Sequence, residues 1–396
     1  MKKILVLGAG YYYRQIIKQL MEAGFYVLAI DKNPGAPGAK YAHEFESIDI
    51  VDKVSVLDFA QKKRIDGIMA VNDFGTRTAS FVSQKMGLVG LPYEVVEAAN
   101  DKGLMRDVWR NDCLAIPRYK VISSLNELRN TIGEIGFPCV LKPTDCGGSG
   151  RGVSVIRSVE DIEWSFNFAK PYVKNARFIL EEYLDGIELT IESLSVNGKV
   201  HILAESDKVK PNIRTRVATS LNYPAEFCED TLRKVEALVV QAVTAIGIEN
   251  GMAHTEVIIT CDGPKLVEIG ARGGGGHVFH TCIESTSGIK APVEFAKLLT
   301  GDCVTLQEIN KNGCVYRFFN PSQGILKKVI NFEKVKDLEG LLDLGIVKRP
   351  GDKVGLLGNS HDRAGFVVTE GKTRKDAVAL ADYVENTIKF IVDPLN

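Results

Sequence analysis

The sequence predicts a chain that is α/β over its first hundred residues and α+β beyond them, with a doubly wound parallel sheet leading into longer strands paired as hairpins. Three observations predict this. Apolar runs ending at Gly8 and Asp31 alternate with amphipathic stretches, the pattern of successive βαβ units. A glycine-rich loop, Asp145–Gly152, separates two short apolar strands. Two longer strand pairs flank Asn197-Gly198 and Asp262-Gly263, dipeptides that favour two-residue hairpin turns.

The elements follow in order. Ile4–Leu7 is a buried strand, and Ile16, Ile17, Leu20 and Met21 form one helical face that Gly24 stops. Tyr26–Ile30 is the second strand, Val54–Gln61 a helix, Gly67–Val71 a strand and Thr76–Met86 a helix. Asn100–Pro117 reads as a helix and a linker. A small module follows, with a helix near Leu125–Ile135, a strand Cys139–Lys142, the glycine loop and a strand Val153–Ile156. Ser158 with Asp161 three residues on reads as a capping box opening a helix, and strand Phe178–Glu182 closes the module. Glu188–Val196 pairs with Lys199–Glu205, a helix covers Asp230–Ile246, and His254–Ile259 pairs with Lys265–Ile269. A final helix is expected over Arg374–Phe390.

Length and composition bound the function. At roughly 100–200 residues per domain, 396 residues make two or three domains. A hydrophobic fraction of 45% with 25% charged residues builds a full core and excludes disordered or collagen-like order. Lys+Arg number 49 against 50 Asp+Glu, so no global charge draws the chain to nucleic acid or a membrane surface, and neither is an expected partner. No apolar run approaches the roughly 18 residues of a membrane helix. The apolar start runs into Tyr11-Tyr12-Tyr13-Arg14 without a small-residue cleavage site, so it reads as a strand and not as a secretory signal. Eight scattered cysteines without a C-x-x-C pair read as reduced thiols, which makes the cytoplasm the expected compartment.

Several motifs carry chemistry. Gly8-Ala9-Gly10, with Asp31 downstream, imitates a dinucleotide fingerprint, but Tyr13 stands where its third glycine belongs and three tyrosines crowd the helix start. The bland reading, a tight strand-to-helix turn, is preferred. Lys142 followed by Gly147, Gly148, Ser149, Gly150 and Gly152 suits a polyphosphate, because glycines let backbone N–H groups approach phosphate oxygens and lysine adds a point charge. A flexible hairpin loop is the alternative. Glu181, Glu182, Tyr183 and Leu184 end a strand whose backbone suits an adenine ring, with Glu188 placed for ribose hydroxyls; a solvent-exposed strand end reads equally from the residues. Counting back from the second turn puts Glu256 opposite Glu268, within one residue of register, their Cβ atoms about 4.5–5.5 Å apart. Two carboxylates so placed require a cation between them, and hard oxygen donors suit Mg²⁺ on phosphate oxygens. His254 and Arg272 share that face, and a pair of glutamates on a wet face is the alternative. The run Gly273–Gly276, with Gly274 in it and His277 and His280 after it, suits a backbone that approaches a ligand closely; a zinc site from His254, His277 and His280 is the lesser reading. Lys208, Lys210, Arg214 and Arg216 form a basic loop that gathers anionic substrate or is merely solvated.

Taken in this order, the motifs resemble the ATP-grasp superfamily, in its biotin-carboxylase-like branch with the stand-alone carboxylate–amine (L-amino acid) ligases that make dipeptides. The resemblance runs from Met1 to about Thr300, and the residues after Leu306 match no motif. It implies an ATP-grasp fold divided as 1–100, a Rossmann-like N-terminal domain; 101–187, the small lobe with its linker helix; 188–305, the large lobe holding Mg·ATP and substrate; and 306–396, completing the C-terminal domain. It implies that Lys102, in Asp101-Lys-Gly-Leu-Met-Arg106, and Lys142 hold ATP phosphates, that Gly147–Gly152 is the flap over them, that Glu181–Leu184 is the adenine hinge and Glu188 the ribose ligand. Glu256 and Glu268 become ligands of Mg²⁺, two ions being expected and Mn²⁺ an alternative. Arg272 and Lys142 become the catalytic residues; Lys208, Arg214, His254, Gly274 and His277 are candidate substrate contacts. One position departs: Gly270 stands where the family usually has Asn.

The implied reaction phosphorylates a small-molecule carboxylate with ATP and lets an amine displace the phosphate, giving an amide, in an enzyme expected to be a homodimer. The alternatives are a biotin carboxylase, a purine-biosynthesis enzyme, a nicotinamide oxidoreductase using the Gly8 turn, or a non-catalytic nucleotide-binding module. Phosphoribosyl-binding members resemble one another in a Gly-x-Gly-Glu-Leu-Gly turn, absent here, and no biotinyl-lysine Met-Lys-Met segment is found.

Overall fold

A computed structural model describes residues 1–211, 213–307 and 312–394. Its N-terminal sheet is parallel, ordered Glu44–Glu46, Tyr26–Ile30, Lys3–Leu7, Gly67–Ala70. Apart from the edge strand Glu44–Glu46, these strands are short apolar runs because helices cover both faces. Helices Tyr13–Glu22, Lys53–Lys63 and Asp73–Met86 alternate with them. Asn72 caps the third by accepting from the Gly75 N–H at 3.0 Å, which places Asp73 and Phe74 at the carboxyl edge of the sheet.

The glycine loop belongs to a four-stranded antiparallel sheet, ordered Tyr119–Ile122, Phe178–Glu182, Cys139–Pro143, Ser154–Ile156. Helices Leu125–Ile135 and Ile162–Ala169 pack on one face through Leu128, Ile132 and Ile162. The expected capping box does not form. Ser158 makes no side-chain cap, a single 3₁₀ turn Val159–Asp161 intervenes, and the Asp161 carboxylate accepts from the Arg157 N–H at 2.9 Å and pairs with Arg214 at 2.6 Å.

The largest sheet has eight strands, ordered Gly263–Gly270, Gly251–Thr260, Ile187–Val196, Lys199–Val209, Ser220–Tyr223, Gly313–Phe319, Gly365–Gly371, Leu341–Ile346. Asn197 and Gly198 both take positive φ, 50° and 79°, as a primed hairpin turn requires. The second hairpin turns one residue earlier than expected. Thr260 pairs with Gly263, so Cys261-Asp262 is the loop. The Thr260 hydroxyl accepts from the Asp262 N–H and donates to the Gly263 carbonyl, which fixes the tighter turn.

The last helix is shorter than expected, Arg374–Thr387. Lys389–Asp393 is instead a strand paired with Gly324–Ile330, in a three-stranded sheet with Lys353–Val354. Ile388 and Phe390 alternate into the core, a period of two that is indistinguishable from a helix end over so few residues. One hydrophobic core joins the first strand and helix (Ile4, Val6, Ile16, Leu20) to the large sheet and its C-terminal strands (Tyr316, Phe318, Phe366, Val368). All eight cysteines are free thiols. No helix among the described residues is long and apolar enough to cross a membrane.

Candidate functional site

A cavity of about 870 Å³ lies between the glycine loop, the small sheet, the large sheet and the N-terminal turn. Its wall includes Lys102, Lys142, Gly147, Gly148, Ser149, Gly150, Glu181, Glu182, Tyr183, Leu184, Glu188, Lys208, His254, Glu256, Glu268 and Arg272, drawn from strands of two sheets, a helix start and the loops between them.

Sheet register makes the first ion network. Glu181 pairs with Val140 across the small sheet, so Lys142 is its diagonal neighbour. The Lys142 Nζ lies 2.6 Å from Glu181, and the wholly buried Arg106 lies 2.7 Å from the other oxygen. Burial pushes the Glu181 carboxyl up, but Arg106 and Lys142 outweigh it and hold the group below the usual carboxylate range. Arg106 also donates to the Val267 carbonyl at 2.6 Å and stacks on Trp109.

The second network lies on the large sheet. Glu256 and Glu268 are direct register partners. A bulge immediately after Glu256 aims this one pair while the strands continue out of phase. Lys102 opens helix Lys102–Asn111, whose N-terminus Asp101 caps, and its Nζ donates to Glu268 at 2.9 Å. Burial disfavours the Lys102 charge, yet Glu268 raises its pKa above the ordinary lysine value. Lys208 bridges Glu256 and Glu188, and Lys210 also pairs with Glu188. Against the cost of burial, Lys208 holds Glu256 well below the usual range, with His254 adding to it. His254 contacts Glu192 through Nδ1 and stands 3.8 Å from Glu256 through Nε2. Burial lowers the His254 pKa, but the two carboxylates raise it overall.

Arg272 makes a two-pronged pair with Asp73, at 2.9 and 3.1 Å. The open position at Gly270 follows from this pair. A Cβ added there would stand 3.3 Å from the Arg272 guanidinium carbon and 3.4 Å from Asp73, so a larger side chain competes with the arginine for its seat. Sequence reasoning missed Asp73; the available signal was its place just after a parallel strand, where open α/β sheets bind ligands.

In the glycine loop, Gly147, Gly148, Ser149 and Gly150 all have positive φ, 66–71°. A Cβ on Gly147 would meet the Phe74 ring at 2.6 Å, so glycine is what lets the loop lie on this ring. The Ser149 carbonyl accepts from the Ser360 N–H at 3.0 Å, which ties the loop to the C-terminal region. In the hinge segment, the N–H groups of Glu182 and Tyr183 donate to the Arg118 and Pro138 carbonyls, and the Glu182 carboxylate pairs with Arg118 and Lys265.

Four expected residues lie off the cavity wall. Gly152 packs its backbone against Pro143, Ala169 and Tyr172. Arg214 faces outward onto Asp161. Gly274 donates its N–H to Glu192 at 2.9 Å, while Gly275 and Gly276 reach the wall. His277 is buried behind the wall, 3.1 Å from Asp343 and ringed by Tyr12, Tyr316 and Phe366. The three histidines form no zinc site: among the described residues no group of three or more His, Cys, Asp or Glu converges to hold a metal. Burial pushes His280 down to about 3. The dinucleotide reading fails sterically, because the Tyr13 ring stands within 2.5 Å of where a Cβ on Gly8 would be and fills the space over the turn. Asp31 is spent on the N–H groups of Ala9 and Asn33.

Comparisons with known proteins bear on the fold. Residues 135–281 match the family model of the ATP-grasp domain, and residues 317–393 match L-amino acid ligase C-terminal domain 2. The latter assigns a region in which no motif was legible. The chain is similar to the formate-dependent phosphoribosylglycinamide formyltransferase of Wolinella succinogenes, 27% identical over 274 residues, covering 68% of this chain and 70% of that one. It is 30% identical over 205 residues to the protein of that name from Paraburkholderia xenovorans, spanning only about half of its length, 49%. Among solved structures, an L-amino acid ligase from Bacillus licheniformis superposes with a TM-score of 0.86 at 20% identity, covering 100% of this chain and 99% of that one. A phosphoribosylglycinamide synthetase from Anaerococcus prevotii gives 0.77 at 22%, covering 99% and 100%. A biotin carboxylase from Campylobacter jejuni gives 0.74 at 19%, covering 99% and 92%. At such identities the structural likeness establishes the fold: the chain has the ATP-grasp fold, with residues 135–281 matching the ATP-grasp domain and residues 317–393 matching a C-terminal domain of L-amino acid ligases.

Proposed function

We propose that this ATP-grasp carboxylate–amine ligase works through an acyl phosphate and joins a small carboxylic acid to a small amine, with a dipeptide as one form of product. The observation that carries the reading is the facing pair Glu256–Glu268, set in one cavity with Lys102, Lys142 and Arg272. Two hard-oxygen donors fit Mg²⁺, which keeps several waters and takes one or two carboxylates together with substrate phosphates. When bound, the ion neutralises charge on the phosphate oxygens. Glu256 and Glu268 would hold it.

Lys102 and Lys142 bring positive charge to the transferring phosphoryl group, where catalysis is mostly positioning and electrostatics. The loop Gly147–Gly150 offers backbone N–H groups to phosphate oxygens and excludes water that would hydrolyse the acyl phosphate. Because the N–H groups of Glu182 and Tyr183 are engaged, adenine would meet the hinge at Leu184 and at carbonyl oxygens. Asp73 takes the Nε and Nη2 edge of Arg272 and so fixes the plane of the guanidinium, whose remaining N–H groups would be the ones to meet acyl oxygens. In the first step the γ-phosphoryl group moves to a carboxylate oxygen and ADP forms. In the second the amine nitrogen attacks the acyl carbon, the C–O bond to phosphate breaks, and the nitrogen loses a proton.

The free thiols support a reducing compartment, the cytoplasm, and a homodimer is carried as part of this reading, checked by light scattering. The tyrosine-filled Gly8 turn argues against a phosphoribosyl substrate. The reaction is tested by hydroxylamine trapping: ATP turnover requires an added acid, a hydroxamate accumulates, and the correct amine diverts it to amide. Glu268→Gln keeps the fold and lowers turnover at least about a hundredfold. Turnover supported by bicarbonate and biotin alone, with no hydroxamate from any acid, sinks the ligase reading.

A further inference from the structure

One short turn of the C-terminal region, Leu357 to His361, touches the module that carries the glycine loop at several points. The Ser360 N–H donates to the Ser149 carbonyl at 3.0 Å. The His361 Nε2 lies 3.4 Å from the Arg151 Nη2, and the other terminal nitrogen of Arg151 donates to the Gly147 carbonyl at 3.0 Å. Arg151 therefore joins the glycine loop to the histidine. The Leu357 carbonyl accepts from the buried Thr215 hydroxyl at 2.8 Å, and the neighbouring Arg214 carbonyl accepts from the Val155 N–H of the small sheet at 2.9 Å. At Gly358 an added Cβ would stand 3.4 Å from the Phe168 ring, on helix Ile162–Ala169 of the same module. The turn itself is preformed. Asn359 accepts from the His361 N–H at 2.9 Å, and the Asp362 carboxylate accepts from the Gly358 and Asn359 N–H groups at 3.0 and 2.9 Å. These bonds leave the Ser360 N–H, at the first position of the 3₁₀ turn Ser360–Asp362, for the glycine loop.

We propose that this turn is a catch that positions the glycine loop over the cavity, and that it grips only while His361 is neutral. The inference rests on the reading of that loop as the screen over the phosphates, and it adds how the loop is held and released. A neutral imidazole protonated at Nδ1 offers Nε2 to Arg151 as an acceptor. A doubly protonated one offers no acceptor and sets a second cation against the guanidinium. The charged groups that face His361 are Arg151 from the glycine loop, and Asp362 and Arg363 from its own segment. The Asp362 carboxylate is already engaged by two N–H groups, so it does little for an imidazolium. Partial burial first, and Arg151 next, lower the His361 pKa below the ordinary histidine value; Asp362 opposes this and Arg363 adds to it. His361 is exposed, so protons from solvent reach it. The catch is therefore closed at neutral pH and releases in acid. Ser360 and His361 are positioning residues, acting on the reaction through the loop.

Hydrogen exchange over residues 145–152, followed by mass spectrometry on the full chain at neutral pH without substrates, tests the catch. Ser360→Pro removes the N–H alone. Proline suits the first helical position, and Asn359 is already extended, at φ −158° and ψ 173°, as a residue before proline should be. Ser360→Ala keeps the N–H and is the control. His361→Lys sets a permanent charge beside Arg151, whereas His361→Gln keeps a neutral acceptor. Ser360→Pro and His361→Lys raise exchange roughly 2- to 10-fold, the weight of one neutral hydrogen bond, while Ser360→Ala and His361→Gln match the wild type. In the wild type, ATP hydrolysed per amide formed rises as pH falls from about 7.5 to about 5.5, and His361→Gln flattens that rise. Unchanged exchange in both Ser360→Pro and His361→Lys overturns the catch. Coupling that ignores pH in the wild type, or that falls as steeply in His361→Gln, overturns control by the histidine. Should Ser360→Pro fail to fold, His361→Lys against His361→Gln decides by exchange. Exchange needs no reaction, so absence of hydroxamate from the wild type would strike the ligase reading and leave the exchange test to decide the catch.

Discussion

At the scale of single residues, the chain spends its buried charges in pairs, and the exceptions are informative. Glu205, on strand Lys199–Val209, has a buried carboxylate oxygen with no hydrogen-bond partner. Burial, and then Glu236, raise its pKa from 4.5 to about 7. A carboxyl whose folded pKa is raised favours the folded state below its unfolded pKa and loses that contribution as pH rises through the folded value. Glu205→Gln is therefore expected to be nearly neutral at pH 4–5 and stabilising above pH 7, by at most about 3 kcal/mol. Urea midpoints at the two pH values check this; an equal effect at both is the contrary result. Asp73→Asn has the opposite sign. It strips the partner from a buried arginine, at a cost of up to roughly 3–5 kcal/mol, and it should lower turnover because the Arg272 fork loses its fixed plane. Unchanged urea midpoint and kcat would contradict that role. Lys142, Glu256 and Glu268 were legible because a strand end and a hairpin register place them by local counting, whereas Lys102 was reached only through the resemblance of Asp101–Arg106 to the ATP-grasp superfamily. Asp73 and Arg106 were not legible. Their meaning depends on partners 199 and 161 positions away, which no local period reveals.

At the scale of elements, the glycine loop shows why composition alone finds a motif and misses its anchor. Four successive positive φ values require the glycines at 147, 148 and 150, and that much is visible in the sequence. That the loop rests on Phe74 and hydrogen-bonds to Ser360 is not. Gly147→Ala meets both a left-handed backbone and the Phe74 ring, so it should displace the loop without unfolding the sheets. We expect turnover to fall at least about tenfold, with uncoupled ATP hydrolysis rising as water reaches the acyl phosphate, and a melting temperature within a few degrees of wild type. Full coupling in this variant would show that the loop does not screen the intermediate. The turn at Cys261-Asp262 and the strand Lys389–Asp393 mark the same limit. At the turn, the Thr260 hydroxyl contacts outweigh the Asp262-Gly263 signal and move the loop by one residue. At the C-terminus, a period of two takes over from the helical pattern within a few residues, and strand pairing decides between them.

At the scale of the whole molecule, the C-terminal region is part of the structure that forms the cavity. It contributes three of the eight strands of the large sheet, and Cys314, Tyr316, Phe318, Phe366 and Val368 enter the core that also holds Ile4, Val6 and Ile16. The motifs end near residue 305, and the large sheet continues beyond it, Ser220–Tyr223 pairing with Gly313–Phe319 and that strand with Gly365–Gly371. Each large apolar side chain buried in a core contributes roughly 1.5–3 kcal/mol. Losing these five therefore removes about 10 kcal/mol, comparable to a typical net stability of roughly 5–15 kcal/mol. Ending the chain at Gln307 would also turn Ser220–Tyr223 into an unpaired edge, open to association with other chains. We expect that truncated chain to aggregate, or to bind ANS without a cooperative unfolding transition, and to give no thermal shift with Mg·ATP. The full chain should unfold with its N-terminal and large-sheet probes moving together. A soluble 1–307 fragment that unfolds cooperatively and still answers Mg·ATP would mean that the shared core does not couple these parts, and the C-terminal strands would then be an accessory to the nucleotide site and not a wall of it.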